Sequence, residues 1–288
     1  MGVTGPNEYE NNINNNWYTN YSTKWCFDFT LNTIDLVKKN TPELFNKLSK
    51  MLDFKESEKD HWLKISKNIY LNENKELSIF VQQDGFFDKE LNEIDKLDYS
   101  ERPLNQNWSW DRILRSPYIK QADVLQGIYF FEDKFDIESI KSNYDFYQKF
   151  TVHESSLSPC IHSIIACKLG KTKSAYDFFK RASRLDLDDY NNEVDEGLHI
   201  TSMAGSWLTI VEGFAGMRIK KNSLHFTPQI PKDWKELIFN IAFRGNVYKI
   251  KVSNSFFQCS INLNQKCHIY VNNKKLKFDE YMKASISI

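Results

Sequence analysis

The chain has 288 residues, of which 41% are hydrophobic and 15% aromatic, and its 38 Lys and Arg balance its 38 Asp and Glu. This length and composition are enough to bury one or two cores of ordinary size, so we expect a globular protein. The zero net charge argues against a general binder of nucleic acid or of an anionic membrane, and no run approaches the roughly 20 apolar residues that span a bilayer.

The start of the chain and the cysteines predict a cytoplasmic protein. The first 16 residues are polar and acidic, unlike a signal peptide, in which a basic stretch precedes an apolar one. The five cysteines are odd in number, with no CxxC pair and no zinc-type spacing. We therefore expect reduced thiols, no disulfide framework and no membrane anchor.

Most of the first 218 residues carry apolar side chains spaced three and four apart, which predicts helices. Thr41 and Pro42 suit the start of one helix, and Ser57 is a plausible cap for another. The other predicted helices cover 25–37, 119–131, 137–150, 158–169, 173–185 and 201–214. Between residues 70 and 118 the pattern breaks, which predicts a long ordered loop that contains Trp108 and Trp110.

After Gly216 the period of the apolar residues changes from near 3.6 to two. Strands are predicted at 239–243, 248–252, 256–261 and 268–271. The sequence thus predicts a helical domain at 1–218 and a small all-β domain at 219–288.

Three polar clusters could carry chemistry. The first is the Gly-Pro turn at residues 5–10, where Glu8 or Glu10 could donate a proton. A solvated acidic loop is the alternative. The second follows Trp110 and includes Lys120 and Gln121, an aromatic and polar set that suits a sugar. Its alternative is a structural ion-pair network of Asp111, Asp123, Arg112 and Arg115.

The third cluster consists of two segments, 151–162 and 196–207, that each place a histidine and hydroxyls before a predicted helix. Free N–H groups and the helix dipole favour an oxyanion such as phosphate there. Simple N-capping by Ser155, Ser156 or Thr201 is the alternative. Zinc is a minor option because His153, His162 and His199 lack HxxxH-type spacing, and a serine hydrolase is weaker still because no GxSxG elbow is present.

Together these clusters resemble the disaccharide phosphorylases of glycoside hydrolase family 65. The segments that carry the resemblance are 5–9 (GPNEY), 108–115 (WSWDRILR), 119–127 (IKQADVLQG), 151–160 (TVHESSLSPC), 185–192 (LDLDDYNN) and 197–205 (GLHITSMAG). They run in family order over nearly the whole chain. The extended segment around Trp108 favours the maltose-cleaving members over the kojibiose-cleaving ones.

The resemblance implies a mainly α fold with a small all-β C-terminal domain, that is, a partial (α/α)6 barrel followed by a C-terminal β-sandwich. It also implies a truncation, because family members carry a large β-sandwich and the first half of the barrel ahead of the acid. The missing N-terminal half would then be a required partner. We expect the isolated chain to be inactive and the complete enzyme to be a homodimer.

The resemblance also assigns roles to residues. Glu8 matches the general acid of the family, and Lys120 and Gln121 match the pair that holds the glucosyl unit. The residues expected to line the phosphate pocket are His199, Ser202 and Gly205, with Ser155 and His153 as second choices. The chain departs from the family pattern at Asn7 and Glu154, where Asp is common.

The implied reaction is inverting phosphorolysis, in which maltose and phosphate give β-D-glucose 1-phosphate and glucose. Glu8 and a bound phosphate are expected to face one pocket, with the sugar between them. Inorganic phosphate is a co-substrate, and no metal or organic cofactor is expected. The alternatives are a hydrolase of the same fold that acts on trehalose or kojibiose, and a non-catalytic remnant or carbohydrate-binding subunit.

Overall fold

The computed structural model describes residues 1–262 and 267–288, which form two compact units, Met1–Val152 and His153–Ile288. The chain is mainly helical with a C-terminal region of strands, as predicted. The helical part ends at Phe214 and the strands of the C-terminal region begin at Arg218. The two-domain division at residue 218 stays a prediction, because the compact units divide elsewhere.

The first unit is built from helices joined by turns. They are α1 (Trp17–Asn40), α2 (Pro42–Met51), α3 (Glu56–Asn68), α4 (Leu104–Asn107), α5 (Trp110–Arg115), α6 (Val124–Phe130) and α7 (Ile137–Tyr147). Trp17, at the start of α1, is buried and stacks on Phe80 with 4.6 Å between ring centroids. Gly127 of α6 faces the same indole, because a Cβ there would lie 2.7 Å from it. Packing on Trp17 therefore fixes where α1 begins.

Of the two predicted caps, Thr41 is confirmed as the N-cap residue of α2, although its side chain makes no capping hydrogen bond, and Ser57 was wrong. α2 begins at Pro42 as predicted, but the Thr41 hydroxyl donates to the carbonyl of Val37, 3.2 Å away. α3 begins at Glu56, so Ser57 lies inside the helix. The Glu58 carboxylate instead accepts the N–H of Lys55 at 2.9 Å, which satisfies a donor at the helix start.

The predicted loop between residues 70 and 118 contains short regular elements. A hairpin pairs β1 (Glu73–Asn74) with β2 (Ile79–Phe80), and single 3₁₀ turns lead to α4 and α5. Leu104, Ile113, Tyr118 and Val152 pack around Tyr9 in a buried cluster. This cluster, rather than long secondary structure, orders the segment.

The predicted helix at 119–131 begins only at Val124. Ile119 is extended and pairs in parallel with Thr151, where its N–H donates to the carbonyl of Phe150 at 2.9 Å and its carbonyl accepts the N–H of Val152 at 2.9 Å. This backbone pairing competes with helix formation, which explains the late start. It also fixes the chain immediately before Lys120 and Gln121.

The helices of the second unit are α8 (Ser158–Lys168), α9 (Thr172–Ser183), α10 (Leu185–Asp188) and α11 (Ile200–Leu208). α8 is buried on all sides from Ser158 to Cys167. The helix predicted at 201–214 is divided, because α11 passes into a π-helical turn at Thr209–Phe214. In the described parts of the chain, no helix is long and apolar enough to cross a membrane.

The strands of the second unit are β3 (Arg218–Lys220), β4 (Ser223–Phe226), β5 (Leu237–Phe243), β6 (Asn246–Val252), β7 (Phe256–Ile261), β8 (His268–Val271), β9 (Lys274–Lys275) and β10 (Lys283–Ser287). They form two sheets with the orders β10-β7-β6-β5 and β3-β4-β8-β9. Among the described strands of these sheets, β4 and β8 pair in parallel and the other pairs are antiparallel. Phe226 of one sheet packs on Phe257 of the other with 4.8 Å between centroids. The four predicted strands are confirmed as β5 to β8.

Candidate functional site

Glu8 lies on a tightly held turn and points outward. Its side chain is 53% exposed, whereas its neighbours Asn7 and Tyr9 are buried. The Asn7 side-chain oxygen accepts the backbone N–H groups of Tyr9 at 3.2 Å and Lys120 at 2.9 Å. The turn is thereby tied to the segment before α6, and the Glu8 carboxylate is presented from a fixed backbone.

Lys120 lies beside this turn, and Gln121 follows it in the chain. The Lys120 ammonium is 2.7 Å from Glu8 Oε2. Gln121 is 4% exposed, and no hydrogen-bond partner for its Oε1 is found among the described residues. A buried oxygen without a donor is costly, so a ligand hydroxyl at that position would be stabilising.

Asp123 is buried behind the same turn. Its Oδ2 accepts the N–H of Asn7 at 3.0 Å, and the Asn16 side-chain amide donates to both of its oxygens. Burial raises the pKa of Asp123 to about 7, although the hydrogen bonds from Asn7 and Asn16 act in the opposite direction. Sequence reasoning placed Asp123 only in an ion-pair network, so its role here was missed.

The two carboxylates of the turn at residues 5–10 have different environments. Glu10 is buried, forms an ion pair with Lys89, and has a raised pKa because of burial, an effect that Lys89 partly offsets. The Lys89 ammonium also donates to the carbonyl of Ser116 at 2.9 Å. Glu10 is therefore a structural group, which leaves Glu8 as the accessible acid of the pair.

The ion-pair alternative for the tryptophan segment is partly correct. Arg115 pairs with Asp111 on the surface, and Arg112 lies 3.5 Å above the Trp108 ring with Glu101 2.8 Å away. The predicted participation of Asp123 in this network was wrong, because it is bonded to amides. A second tryptophan, Trp110, is 55% exposed and meets Tyr9 edge-on at 6.2 Å.

In the second unit, His153 and Ser155 precede α8. His153 is buried in a left-handed backbone conformation, and its Nδ1 lies 2.8 Å from the Ser158 hydroxyl. The Ser155 hydroxyl oxygen accepts the N–H of Leu157 at 3.3 Å, and Leu157 is the residue that occupies the N-cap position of α8. Ser155 is half-buried, so of the two its side chain is the more open to a ligand.

His199 occupies the N-cap position of α11 and is flanked by carboxylates. Its Nδ1 is 2.5 Å from Asp186 Oδ1 and its backbone N–H donates to Asp186 Oδ2 at 3.0 Å. The hydrogen bond from the His199 side chain is the first cause that lowers the pKa of Asp186. Nε2 lies 3.6 Å from Glu193, beyond hydrogen-bond distance. Asp186 thus orients the ring through Nδ1, and Nε2 lies within ion-pair distance of the Glu193 carboxylate.

Ser202 and Gly205 face the interior of the second unit. The Ser202 hydroxyl donates to the carbonyl of Ala182 at 2.8 Å, which joins α11 to α9. A Cβ on Gly205 would lie 2.7 Å from both Cβ and Sγ of Cys160, so this glycine permits close contact between α11 and α8. In this structure both residues connect helices.

The structure therefore brings Glu8 and Lys120 into contact within the first unit, with Gln121 next in the chain, and it places the five phosphate candidates in the second. His199 and its partner Asp186 come from two of the family-like segments, 197–205 and 185–192. Within the described ranges, His, Cys, Asp and Glu side chains form no group of three that could hold a metal ion.

Comparisons with known proteins place this geometry in context. The model of the glycosyl hydrolase family 65 central catalytic domain matches residues 1–208. The model of the C-terminal domain of the same family matches residues 217–277. The two matches fall on the helical part and the strands of the chain.

Curated relatives agree with these matches. Maltose phosphorylase of Bacillus subtilis is 52% identical over 87% of the chain and 32% of its own length. An α,α-trehalose phosphorylase of Thermoanaerobacter brockii is 38% identical over 96% of the chain and 36% of its own length. A kojibiose phosphorylase of Halothermothrix orenii is 33% identical over 88% of the chain and 32% of its own length. The chain thus spans about a third of the length of these relatives.

A solved structure assigned as a kojibiose phosphorylase from the human microbiome superposes with a TM-score of 0.89 at 36% identity. The superposition covers all of this chain and 39% of the solved chain.

Proposed function

Because the chain belongs to glycosyl hydrolase family 65, we propose that it supplies the general acid and the phosphate site for inverting phosphorolysis of an α-linked glucose disaccharide. The active species would be the complete enzyme, meaning this chain together with the N-terminal part that longer relatives carry. Maltose is the proposed substrate, since the relative named for maltose shares more identical residues than those named for trehalose and kojibiose.

The observation that carries the proposal is the geometry around Glu8. An exposed carboxylate on a fixed turn lies 2.7 Å from the Lys120 ammonium, and the adjacent Gln121 holds a buried oxygen that a sugar hydroxyl could satisfy. In the proposed mechanism Glu8 protonates the glycosidic oxygen as the bond to the anomeric carbon breaks. Lys120 and Gln121 hold the glucosyl ring.

Phosphate takes the place of the second carboxylate that an inverting hydrolase needs to activate water. A phosphate oxygen attacks the anomeric carbon from the face opposite the leaving glucose, which gives β-D-glucose 1-phosphate. The new phosphate ester then loses its proton, and Glu8 is protonated again for the next cycle. Inorganic phosphate is a co-substrate, and the proposed mechanism uses no metal or organic cofactor.

For the phosphate site we propose the segments 151–160 and 197–205. His199 would contact phosphate through Nε2, and Ser155 and His153 would contribute from the start of α8. Ser202 and Gly205 would act indirectly, because the hydroxyl of Ser202 is already donated to Ala182 and Gly205 packs on Cys160.

We further propose that the helices form half of an (α/α)6 barrel and that the two sheets form a β-sandwich. The helix α1 exposes Trp25, Phe29 and Leu36 at 41%, 56% and 59%. A groove of about 520 Å³ between α1 and Trp62 is also open. Apolar surface of this kind usually marks an interaction site, and the proposed occupant is the N-terminal part of the complete enzyme. The complete enzyme is proposed to be a homodimer.

The test is phosphate dependence. The chain is co-expressed with the N-terminal part of a maltose phosphorylase relative, and maltose cleavage is followed with and without phosphate. Phosphorolysis predicts cleavage only when phosphate is present, whereas a trehalase-like or kojibiose-type hydrolase releases glucose without it. The chain alone is expected to be inactive. Absence of cleavage by the purified complex under both conditions would favour the non-catalytic remnant, which the exposed face of α1 also allows.

A further inference from the structure

The buried carboxylate of Asp123 joins separate segments of the first unit. Its Oδ2 accepts the backbone N–H of Asn7, 3.0 Å away, from the turn that carries Glu8. The Asn16 amide donates to Oδ1 at 3.1 Å and to Oδ2 at 3.2 Å. Asp123 itself stands at the N-cap position of α6, three residues after Lys120. One side chain therefore links the acid turn to α6 and to the residue before α1.

Asn16 extends this link to rigid structure. Its side-chain oxygen caps α1 by accepting the N–H of Thr19 at 2.9 Å and the Thr19 hydroxyl at 2.7 Å. Its amide also lies 3.3 Å from the carbonyl of Gln82. The carboxylate of Asp123 is thus anchored to the first turn of a 24-residue helix.

Gly5 lies directly on this pair at the other end of the acid turn. A Cβ at Gly5 would be 2.5 Å from both Asp123 Oδ2 and Asn16 Nδ2. Side chains cannot approach so closely, so the turn requires glycine there. Asp123 consequently fixes two points of the turn just ahead of Glu8, namely Gly5 by close approach and Asn7 by a hydrogen bond.

We propose that Asp123 is the positioning residue that holds the Glu8 turn in the geometry needed to protonate the leaving glucose. This inference rests on the proposed function, and it assigns Asp123 no contact with substrate. Asp123 acts through the backbone of Asn7, and a displacement of about 1 Å in such a group can cost about 100-fold in rate.

The chemistry of the site supports a carboxylate rather than an amide. Both oxygens of Asp123 accept N–H donors. An asparagine has only one side-chain oxygen, so its NH₂ group would face another N–H donor and could not accept a hydrogen bond from it. Burial of the carboxylate is unfavourable, as its raised pKa of about 7 indicates. The carboxylate nevertheless accepts N–H donors from two other segments, the acid turn and the start of α1, which points to positioning as its use.

The test compares two leaving groups in Asp123→Asn of the complete enzyme. Maltose needs protonation of its leaving glucose, whereas α-D-glucosyl fluoride loses fluoride with little help from an acid. With phosphate as acceptor, kcat on maltose should fall about 100-fold, as expected for a misplaced acid. The rate on glucosyl fluoride should stay within about threefold, since the phosphate site and the glucosyl site are unchanged.

Asn143→Asp is the matched control for general damage. Asn143 is fully buried in the same unit and its oxygen accepts the N–H of Phe80 at 2.9 Å, away from the acid turn. Any loss in this variant should be equal for the two substrates. Equal losses on both substrates in Asp123→Asn, or no loss on maltose, would overturn the proposal.

Asn16→Ser provides a second variant if Asp123→Asn does not fold. Serine keeps an N-cap acceptor for α1 but removes the amide that donates to Asp123. The same selective loss on maltose is expected, and an unselective loss contradicts the proposal.

Hydrogen exchange of the 288-residue chain separates this inference from the proposed function. If the wild-type complete enzyme shows no phosphate-dependent turnover, the proposed function fails. Positioning by Asp123 still predicts that amide exchange in the peptide containing Asn7 accelerates at least about tenfold in Asp123→Asn, because a buried acceptor for that N–H is weakened. Unchanged exchange would show that Asp123 does not hold the turn.

Discussion

Around Glu8 the candidate for chemistry is exposed and its supports, Asn7 and Asp123, are buried. Around His199 two further candidates, Ser202 and Gly205, are themselves buried and connect helices. Both regions carry segments that resemble the family, and both lie within the match to its central catalytic domain. The comparison shows that a motif contains both groups that meet a ligand and groups that hold the backbone behind them.

Hydrogen-bonding capacity distinguishes these two kinds of residue. A serine hydroxyl has one proton to donate, and Ser202 donates it to Ala182. Glu8 is paired with Lys120 and is still more than half exposed, and His199 Nε2 lies 3.6 Å from Glu193, beyond hydrogen-bond distance. The following predictions test this division, from the largest expected effect to the smallest.

Glu8→Gln should reduce maltose phosphorolysis by the complete enzyme about 10²- to 10⁴-fold, because the general acid is lost. Its thermal stability should be unchanged, since the side chain is more than half exposed. The control is Asp111→Asn, which removes another exposed carboxylate of the same unit that is paired with Arg115. Activity is measured as glucose 1-phosphate release, and full activity in Glu8→Gln would show that Glu8 is not the general acid.

The carboxylate behind the acid turn predicts a pH-dependent stability. Asp123 has a pKa of about 7 in the folded chain and an ordinary value near 3.9 when unfolded, so the folded state binds the proton more tightly. The contribution of Asp123 to the free energy of unfolding is therefore greatest below about pH 4. It decreases by up to about 4 kcal/mol as the pH rises to about 7. The raised pKa of Glu10 acts in the same direction.

Urea unfolding of the 288-residue chain between pH 4 and pH 7 measures this effect. Asp123→Asn should show a smaller decrease over that range than wild type. An identical decrease in both proteins would mean that Asp123 does not titrate as its burial indicates.

Gly205→Ala should destabilise the second unit by about 1–3 kcal/mol, because the new methyl group would overlap Cys160 in a packed helix contact. Gly213→Ala is the matched control, since the nearest atoms to a Cβ there are 3.4 Å away. The difference between the two variants in denaturant midpoint gives the measurement. If Gly205→Ala is as stable as wild type but fails to bind phosphate, Gly205 belongs to the pocket itself.

Ser202→Ala and His199→Ala should separate stability from phosphate binding. Loss of the Ser202 hydrogen bond should lower stability by about 1 kcal/mol and leave the KM for phosphate within twofold. His199→Ala should raise that KM about tenfold, since a charged hydrogen bond contributes roughly 1.5–3 kcal/mol. If steady-state assays instead show a raised KM for phosphate in Ser202→Ala and an unchanged KM in His199→Ala, then Ser202 and not His199 contacts phosphate.

Much of the fold was predictable from the period of apolar residues. Helices α7, α8 and α9 and strands β5 to β8 lie close to their predicted ranges, because local pattern and packing agree there. Helix α1 contains its predicted range of 25–37 but begins eight residues earlier, at Trp17. The helix predicted from 119 failed because the backbone of Ile119 pairs with a segment more than 30 residues away. Local sequence does not report such pairing.

The site was predictable only in part. The family motifs pointed to Glu8, Lys120 and Gln121, and of these the structure shows Glu8 and Lys120 in contact. They could not reveal that Asp123 supports the acid turn, because its partners Asn7 and Asn16 are 116 and 107 residues away. Likewise, the contact of Gly205 with Cys160 depends on how two helices cross.

The most direct test of the phosphorolysis proposal is the identity of the first sugar phosphate that the complete enzyme forms from maltose. Proton NMR of the reaction in phosphate buffer, recorded before the anomers of free glucose equilibrate, distinguishes α- from β-glucose 1-phosphate. The account predicts β-D-glucose 1-phosphate and glucose in equal amounts. Formation of the α anomer, or of glucose without any sugar phosphate, would contradict it.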